Sequence, residues 1–355
     1  MENLIRGEVG VVVGVDLGDR SSQICRLDRE TGALLEEKRL STTSTSFQRY
    51  FGGRPPCCVI VESDTHTPWV RRLLESLGHQ VITANPSKVR LIASSRRKTD
   101  ERDALCLAQL GRVDPELLSP VHARGPEAQQ ALAVVRAREG LVKVRTMLIN
   151  QVRGTVKSFG ARLSGGSAKS FARGASEGLP QELKAALEPL LAVIADVSDR
   201  IRSFERDLEA WAQRFPVTQR LRQIKGVGVL TALVFVLTLD DPHRFARSRS
   251  VGAYLGLVPA SRNSGKLAPQ LSITKQGDRL LRRLLVQASH YILGPFGQDS
   301  DLRSFGLELS QRGGKSGKKR AVVAVARKLA VLLHRLWVSG KDYQPHRRPA
   351  LEIAA

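Results

Sequence analysis

Four acidic residues stand where packing alone does not ask for them. Val11-Val12-Val13-Gly14-Val15 is an apolar run that ends in Asp16, and Cys57–Val61 is a second that ends in Glu62. Asp100 and Asp103 follow Thr99 with i,i+3 spacing, which puts them on one face of a helix. If the two strands are neighbours and the helix crosses their ends, the four carboxylates converge. They then repel one another unless cations neutralise them, and hard divalent ions such as Mg²⁺ or Mn²⁺ take oxygen ligands of this kind. Two such ions about 4 Å apart stabilise both the attacking and the leaving oxygen of an in-line phosphoryl displacement. Singly, each acid has a plain structural role open to it: Asp100 as a helix cap, Asp103 at the positive end of the helix dipole, Asp16 and Glu62 at strand ends. The combination of two acid-terminated apolar strands with Asp-x-x-Asp points to metal chemistry. Beside Glu62, Asp64 could share in holding metal, and His66 is the one histidine of interest; the others lack ligand spacing.

These acids need a frame. Val11–Asp16, Ser22–Leu27 and Ala33–Leu40, with a turn at Asp28–Gly32, read as a three-stranded meander. Cys57–Val61 and Gln80–Thr83 read as further strands, with helices over Trp69–Leu77, Pro86–Ala93 and Asp100–Leu110. A meander followed by alternating strands and helices predicts a mixed sheet with helices on its faces. From Pro126 to Phe159 the pattern is helical and basic. A Gly/Ser-rich stretch from Ser164 to Gly178, with few apolar residues, reads as a linker or flexible tip. Gln181–Phe215 returns to helical spacing, with Leu183, Leu187, Leu190, Leu191, Ile194, Val197, Ile201, Phe204 and Leu208 recurring every three or four residues as one apolar face. So long an apolar face needs a partner, so a helical hairpin or dimer-forming coiled coil is expected.

The charge says what the frame meets. A chain of 355 residues has room for two or three domains, and a formal net charge of +22 attracts a polyanion and releases its counterions. Nine Lys/Arg face one acid between His243 and Leu285, and eleven face one between Gln311 and Arg348, so the nucleic-acid surface is expected in the C-terminal half. No stretch approaches the ~18 apolar residues of a membrane span and no secretory signal is seen, so a cytoplasmic protein is expected. Without an amphipathic basic helix carrying aromatic anchors, an anionic membrane is not indicated. Cys25, Cys57, Cys58 and Cys106 lack CxxC spacing, which indicates neither a disulfide framework nor zinc. An aromatic fraction of 5% argues against base-stacking single-strand modules.

The C-terminal half carries its own motifs. Ile224-Lys225-Gly226-Val227-Gly228 before the apolar Leu230–Leu237 reads as a helix-hairpin-helix element whose backbone N–H groups could meet a phosphate. Gly-x-Gly alone is often just a turn. Tyr254-Leu255-Gly256-Leu257-Val258-Pro259 leads to Ser261-Arg262-Asn263-Ser264-Gly265-Lys266, then to Ile273-Thr274-Lys275-Gln276-Gly277-Asp278-Arg279-Leu280-Leu281-Arg282. By its residues alone Ser264 is an ordinary turn serine, because no histidine stands beside it as a base. Gly313-Gly314-Lys315-Ser316 imitates the end of a phosphate-binding loop without its first glycine or a preceding strand, and reads instead as a basic phosphate-contacting loop with Lys318 and Lys319.

Gly14-Val15-Asp16, Val61-Glu62 and Lys98-Thr99-Asp100-Glu101-Arg102-Asp103-Ala104 resemble the four-acid pattern of the DEDD transposases of insertion sequences, the IS one-ten family. The second domain of that family carries the same run of Gly-x-Gly, Tyr-x-Gly-Leu-x-Pro, Ser-Gly and Lys-x-Gly-x-x-x-Leu-Arg. The chain is also similar to Piv-type DNA invertases. One departure stands out: Ser63-Asp64-Thr65-His66 follows Glu62, where the family has a small-Thr-Gly turn.

The resemblance implies an α/β plus α protein. A ribonuclease-H-like (RuvC-like) nuclease domain is expected over residues 1–125, a helical connector over 126–215, a serine-bearing helical domain over 216–345 and a tail over 346–355. It implies a transposase that cuts and rejoins DNA strands, with Asp16, Glu62, Asp100 and Asp103 holding Mg²⁺ (or Mn²⁺) and Ser264 as the nucleophile, Ser261 a distant second. A covalent serine ester would conserve the bond energy needed to reseal the strand without ATP. Lys225, Gly226, Gly228, Arg262, Lys266, Lys275, Arg279, Arg282, Lys315, Lys318 and Lys319 are the expected nucleic-acid contacts. The implied partners are double-stranded DNA at the element ends and target, a second or further copies in a homodimer or homotetramer, and, as in better-understood relatives, an element-encoded bridge RNA. The expected location is the bacterial cytoplasm, at the nucleoid. Two rivals remain: a hydrolytic junction-resolving nuclease that leaves Ser264 idle, and a non-catalytic architectural DNA binder.

Overall fold

The computed structural model describes residues 10–92, 99–163, 165–260, 271–312 and 314–346. The chain divides into two compact units, one ending at Ala123 and one beginning at Arg124.

Among the described residues of the first unit, five strands form one sheet in the order β3-β2-β1-β4-β5. They are β1 (Val11–Leu17), β2 (Ser21–Asp28), β3 (Leu34–Ser41), β4 (Cys58–Glu62) and β5 (Gln80–Ala84). β2 runs antiparallel to β1 and β3, while β1, β4 and β5 are parallel. This is the mixed sheet with helices on its faces that the sequence leads one to expect. Side chains alternate across the sheet with period two. Val13, Val15, Val59 and Val61 face α1 (Ser44–Phe51) and α2 (Thr67–Ser76), packing with Phe47, Phe51, Val70 and Leu74. Val12, Cys58, Ile60 and Ile82 face the other way, toward α3 (Pro86–Ile92) and α4 (Asp100–Val113).

Sequence reading finds no helix where α1 lies. Its Ser/Thr-rich start favours turns, because those side chains compete for backbone hydrogen bonds. Here Thr43 uses that tendency as a cap, accepting from the Ser46 N–H at 3.3 Å, and burial of Phe47, Tyr50 and Phe51 outweighs the weak propensity.

The second unit is helical. α5 (Pro126–Ser158) and α7 (Lys184–Gln213) pair as an antiparallel hairpin: Val152 and Val156 pack with Leu187, Leu191 and Ile194 at one end. At the other end Ala131, Val135 and Leu208 join the core around α9 (Val229–Leu239), whose residues Thr231–Leu239 are all buried. The expected hairpin is therefore present within one chain. Within the Gly/Ser-rich stretch a short helix, α6 (Phe171–Glu177), forms, because Phe171, Ala175 and Leu179 give it an apolar anchor against α7. α8 (Val217–Leu221), α10 (Arg249–Tyr254), α11 (Arg279–Leu293), α12 (Asp301–Arg312) and α13 (Gly317–Ser339) complete the unit. Among the described residues no helix is long and apolar enough to cross a membrane.

Candidate functional site

The acids are positioned by register and by a missing side chain. β1 pairs with β4 in parallel register through Val15 and Val61, so one step further along the strands Asp16 stands beside Glu62. By alternation both lie on the face that holds Val12, Ile60 and α4. Gly14 lets α4 close on that face: a Cβ there would lie 1.9 Å from the Ala104 carbonyl oxygen and 2.6 Å from the Ala108 nitrogen. Gly111, near the far end of α4, lies against Ile60 and Val12. α4 thus runs back along the sheet with its first turn over the strand ends. Asp100 and Asp103 are in that turn, one helical turn ahead of the buried Ala104 and Leu107.

All four acids are therefore brought to one end and one face of the sheet. Asp16, Glu62 and Asp103 are half-buried and Asp100 is exposed. The capping role open to Asp100 is taken by Thr99, whose side chain accepts from the Arg102 N–H at 3.4 Å. Among the described residues, no three His, Cys, Asp or Glu side chains form a set that could hold a metal ion. The shared face comes from the backbone, and the carboxylates themselves are not drawn into a ligand shell.

The unusual loop after Glu62 is held by a residue that sequence reading passes over. The Thr67 hydroxyl donates to the Glu62 carbonyl at 2.6 Å and accepts from the Asp64 N–H at 2.8 Å. Asp64 is exposed. His66 Nδ1 accepts from the Trp69 indole N–H at 3.1 Å, and its Nε2 lies 3.6 Å from Asp19. His66 therefore braces the start of α2. The signal for Thr67 was a hydroxyl residue beside Pro68 at a helix start.

Ser261, Arg262, Ser264 and Lys266 lie outside the described residues, as does the side chain of Lys315. The two strands of chain that lead to the serine segment are described, and they form a paired stem. The Ala260 N–H donates to Ser272 O at 2.9 Å, Thr274 N–H to Val258 O at 3.0 Å, and Lys275 N–H to Gly256 O at 3.1 Å. Gly256 (φ 65°) and Gly277 (φ 72°) sit in the left-handed region, and neither has room for a side chain. A Cβ on Gly277 would lie 2.2 Å from Tyr254 O, and one on Gly256 2.3 Å from Gln276 N. Arg282 is turned onto this stem, its guanidinium donating to Leu255 O at 3.0 Å and Gln276 O at 2.6 Å. Asp278 caps α11 by accepting from the Leu281 N–H at 2.7 Å. Lys275 and Arg279 remain exposed, Lys275 with a backbone φ of 57° that is uncommon for a residue with a side chain.

The Gly-x-Gly turn joins α8 to α9. Gly226 has φ 102° and lies against the Tyr291 ring, Gly228 precedes α9, and Lys225 is exposed.

A cleft of about 1560 Å³ opens in this unit, and Leu257, Pro259, Ser272 and Ile273 of the stem line part of it. Arg247 and Arg249 near α10, Arg312 at the end of α12, and Lys319, Arg320, Arg327, Lys328 and Arg335 along α13 also line it. Among the described lining residues Asp301 is the one acid. Phe305, Leu302 and Val331 are among its apolar lining, with Lys328 Nζ 3.5 Å from the Phe305 ring centre. Of these basic residues sequence reading named Lys319 alone. The signal it missed was spacing: Arg320, Arg327, Lys328 and Arg335 recur every seven or eight residues, so α13 presents them as one stripe. Lys318 is exposed on the same helix.

A family model described as "Transposase" matches residues 13–160, and one described as "Transposase IS116/IS110/IS902 family" matches residues 218–297. The transposase for insertion sequence element IS1111A of Coxiella burnetii is 30% identical over 343 residues, 94% of this chain and 91% of the relative. The transposase for insertion sequence element IS1328 of Yersinia enterocolitica is 31% identical over 282 residues, 78% of this chain and 82% of the relative. A probable family 20 transposase of Pseudomonas aeruginosa is 28% identical, covering 94% of this chain and 98% of its own. Among solved structures, Thermus thermophilus RuvC in complex with a Holliday junction substrate aligns with 28% of this chain and 89% of its own, at 16% identity. Its TM-score of 0.23 is too low for that superposition to carry an inference.

Proposed function

Because this chain belongs to the IS116/IS110/IS902 family of transposases, we propose that it cuts and rejoins the DNA strands of an insertion sequence with two groups of residues. In the first group, Asp16, Glu62, Asp100 and Asp103 hold Mg²⁺ or Mn²⁺. The donor set fits such an ion in kind, since all four are carboxylates and hard cations prefer oxygen. When bound, the ion supplies charge stabilisation to a phosphoryl displacement. The observation that carries the reading is the Val15–Val61 register, which sets Asp16 beside Glu62 beneath the first turn of α4.

In the second group, Ser264 is the nucleophile. Its Oγ forms a bond to phosphorus as one sugar oxygen leaves, and the serine proton is given up as the departing oxygen becomes a hydroxyl. The resulting serine–DNA phosphodiester is opened later by the hydroxyl of another strand, which frees the serine. Support comes from the paired stem that leads into this segment and from the basic cleft along its wall, whose cations suit a phosphate backbone. Lys225, Lys275, Arg279, Lys318 and Lys319 are exposed and would add phosphate contacts, while Arg282 acts by shaping the stem. Assembly as a homodimer or homotetramer, guidance by an element-encoded bridge RNA, and residence in the cytoplasm at the nucleoid belong to the same proposal and rest on the family resemblance.

Two substitutions test it, using DNA that carries an element end. Ser264→Ala should abolish the protein–DNA adduct seen on denaturing gels and all strand joining. Asp16→Asn should abolish metal-dependent cutting with DNA affinity kept. An undiminished adduct in Ser264→Ala removes the serine assignment, and cutting that continues in that variant favours a hydrolytic nuclease. Absence of cutting by the parent chain under Mg²⁺ and Mn²⁺ favours an architectural binder.

A further inference from the structure

The low aromatic fraction speaks against a base-stacking domain, yet Phe296 is 81% exposed, the most exposed large apolar side chain among the described residues. Tyr291, five residues earlier, is 44% exposed. Tyr291 lies in the last turn of α11 and Phe296 in the tight turn that follows, which is held by several hydrogen bonds. The Gly294 N–H donates to Tyr291 O at 3.1 Å and the Gly297 N–H to Gly294 O at 3.2 Å. Arg303 Nη1 donates to Gly294 O at 2.7 Å and also to Ile292 O. Gly297 has no room for a side chain, since a Cβ would lie 2.0 Å from Ile292 O. A loose turn could fold its phenylalanine onto the core; this one is fastened from behind by an arginine.

What lies beside the turn narrows the partner. The Tyr291 ring abuts Gly226, where a Cβ would be 2.9 Å from Tyr291 Cδ1, so the tyrosine flanks the Lys225–Gly228 turn. Lys225, Gly228 and His290 are exposed there. An apolar protein partner would be poorly matched to a chain of net charge +22, whereas a nucleic-acid strand offers phosphates to lysine and base faces to aromatic rings.

We propose that Phe296 is a stacking platform for an unpaired base of a nucleic-acid strand, with Tyr291 and the exposed Lys225 at the Gly226 turn supplying further contacts to the same strand. This rests on the reading of the chain as a nucleic-acid-processing enzyme, and it adds a preference for unpaired over paired strands. Aromatic faces stack with every base, so the platform is tolerant of sequence. Inserted at the end of a duplex, the same side chain would act as a wedge that keeps a displaced base out of the helix.

The test measures affinity of the full chain by fluorescence anisotropy over a range of KCl. The probes are a labelled single-stranded DNA, the single-stranded RNA of the same sequence, and the DNA duplex. Phe296→Ala should weaken single-strand binding by about five- to a hundredfold, the range that stacking of one base gives. It should leave duplex affinity within about twofold and the slope against salt unchanged. Phe296→Trp should restore binding, and Lys225→Ala should reduce the slope by about one. Loss confined to the DNA or the RNA strand identifies the source of the base, and loss in both supports a platform indifferent to the sugar. Unchanged single-strand affinity overturns the proposal, as does equal loss on the duplex. A shift in sedimentation of the free protein with intact single-strand binding would instead make Phe296 a contact between copies. The Ser264→Ala adduct assay reports on the catalytic reading separately, so either idea can fail alone.

Discussion

At the acidic end of the sheet, position comes from strand register and from one helix resting directly on one strand, whereas the stem at Val258 and Thr274 takes its shape from left-handed glycines and carbonyls clamped by Arg282. In the first region the working side chains project from regular elements, so local changes reach them only by moving a helix. In the second the working segment springs from irregular backbone, so a single added methyl group acts on it at once. Both regions depend on glycine, but for different reasons: Gly14 for closeness, Gly277 for closeness and conformation together.

The largest effect should come from Gly14→Ala. Its Cβ meets backbone atoms of Ala104 and Ala108, which cannot swing aside, so α4 must lift from β1. Overpacking typically costs about 1–3 kcal/mol, and a clash with fixed backbone belongs at or beyond the top of that range. Cutting should be lost although no acid has changed. Gly111→Ala is the paired comparison: its Cβ meets Cγ1 of the buried Ile60, so a core side chain must repack, but no backbone atom stands in the way and the cost should be smaller. Urea unfolding and metal-dependent cutting check both, and a costlier Gly111→Ala would break the comparison.

Next in size is Gly277→Ala, which combines left-handed strain with the approach to Tyr254 O and should cost about 2–3 kcal/mol. Adduct formation should fall sharply. Gly340→Ala separates the two causes: φ is 66° there with nothing within 4 Å, so strain alone should cost about 1 kcal/mol and leave the adduct intact. Equal adduct loss in both variants would mean that the stem is not special.

The two regions also differed in how much of them could be read in advance. Apolar strands ending in Asp16 and Glu62 and the Asp100–Asp103 spacing were visible, because register and helical periodicity are written in residue type. α1 and α6 were not, since Ser/Thr-rich and Gly-rich stretches resemble loops until Phe47 or Phe171 finds a distant partner. The charge around α13 led one to expect a nucleic-acid surface there but did not single out Arg320, Arg327, Lys328 and Arg335 as its stripe, and Thr67 could be recognised only once Glu62 O and Asp64 N–H lay within its reach. That Arg282 would turn inward depends on carbonyls left unpaired by the bend at Gly256, which no spacing announces.

The smallest effect tests whether the acids are insulated from the rest of their sheet. Glu36 on the edge strand β3 accepts from Arg26 at 3.1 Å and Tyr50 at 3.0 Å, with Arg54 3.1 Å away. Burial pushes its carboxyl up, but the hydrogen bonds from Arg26 and Tyr50 and the charge of Arg54 outweigh burial and hold it below the ordinary value. A carboxyl lowered by folding stabilises the protein above its unfolded pKa of about 4.3, and that contribution is lost as pH falls through the lower folded value. Glu36→Gln should therefore cost under about 1 kcal/mol at neutral pH, as a partly exposed ion pair does, and the gap from the parent should close in acid. Paired urea titrations at neutral and acid pH measure this. Cutting should be unchanged, because β3 is separated from β1 by β2 and makes no part of the α4 contact at Gly14. If Glu36→Gln reduced cutting as much as Gly14→Ala, placement of the acids would depend on the whole sheet, and not on the meeting of β1, β4 and α4 alone.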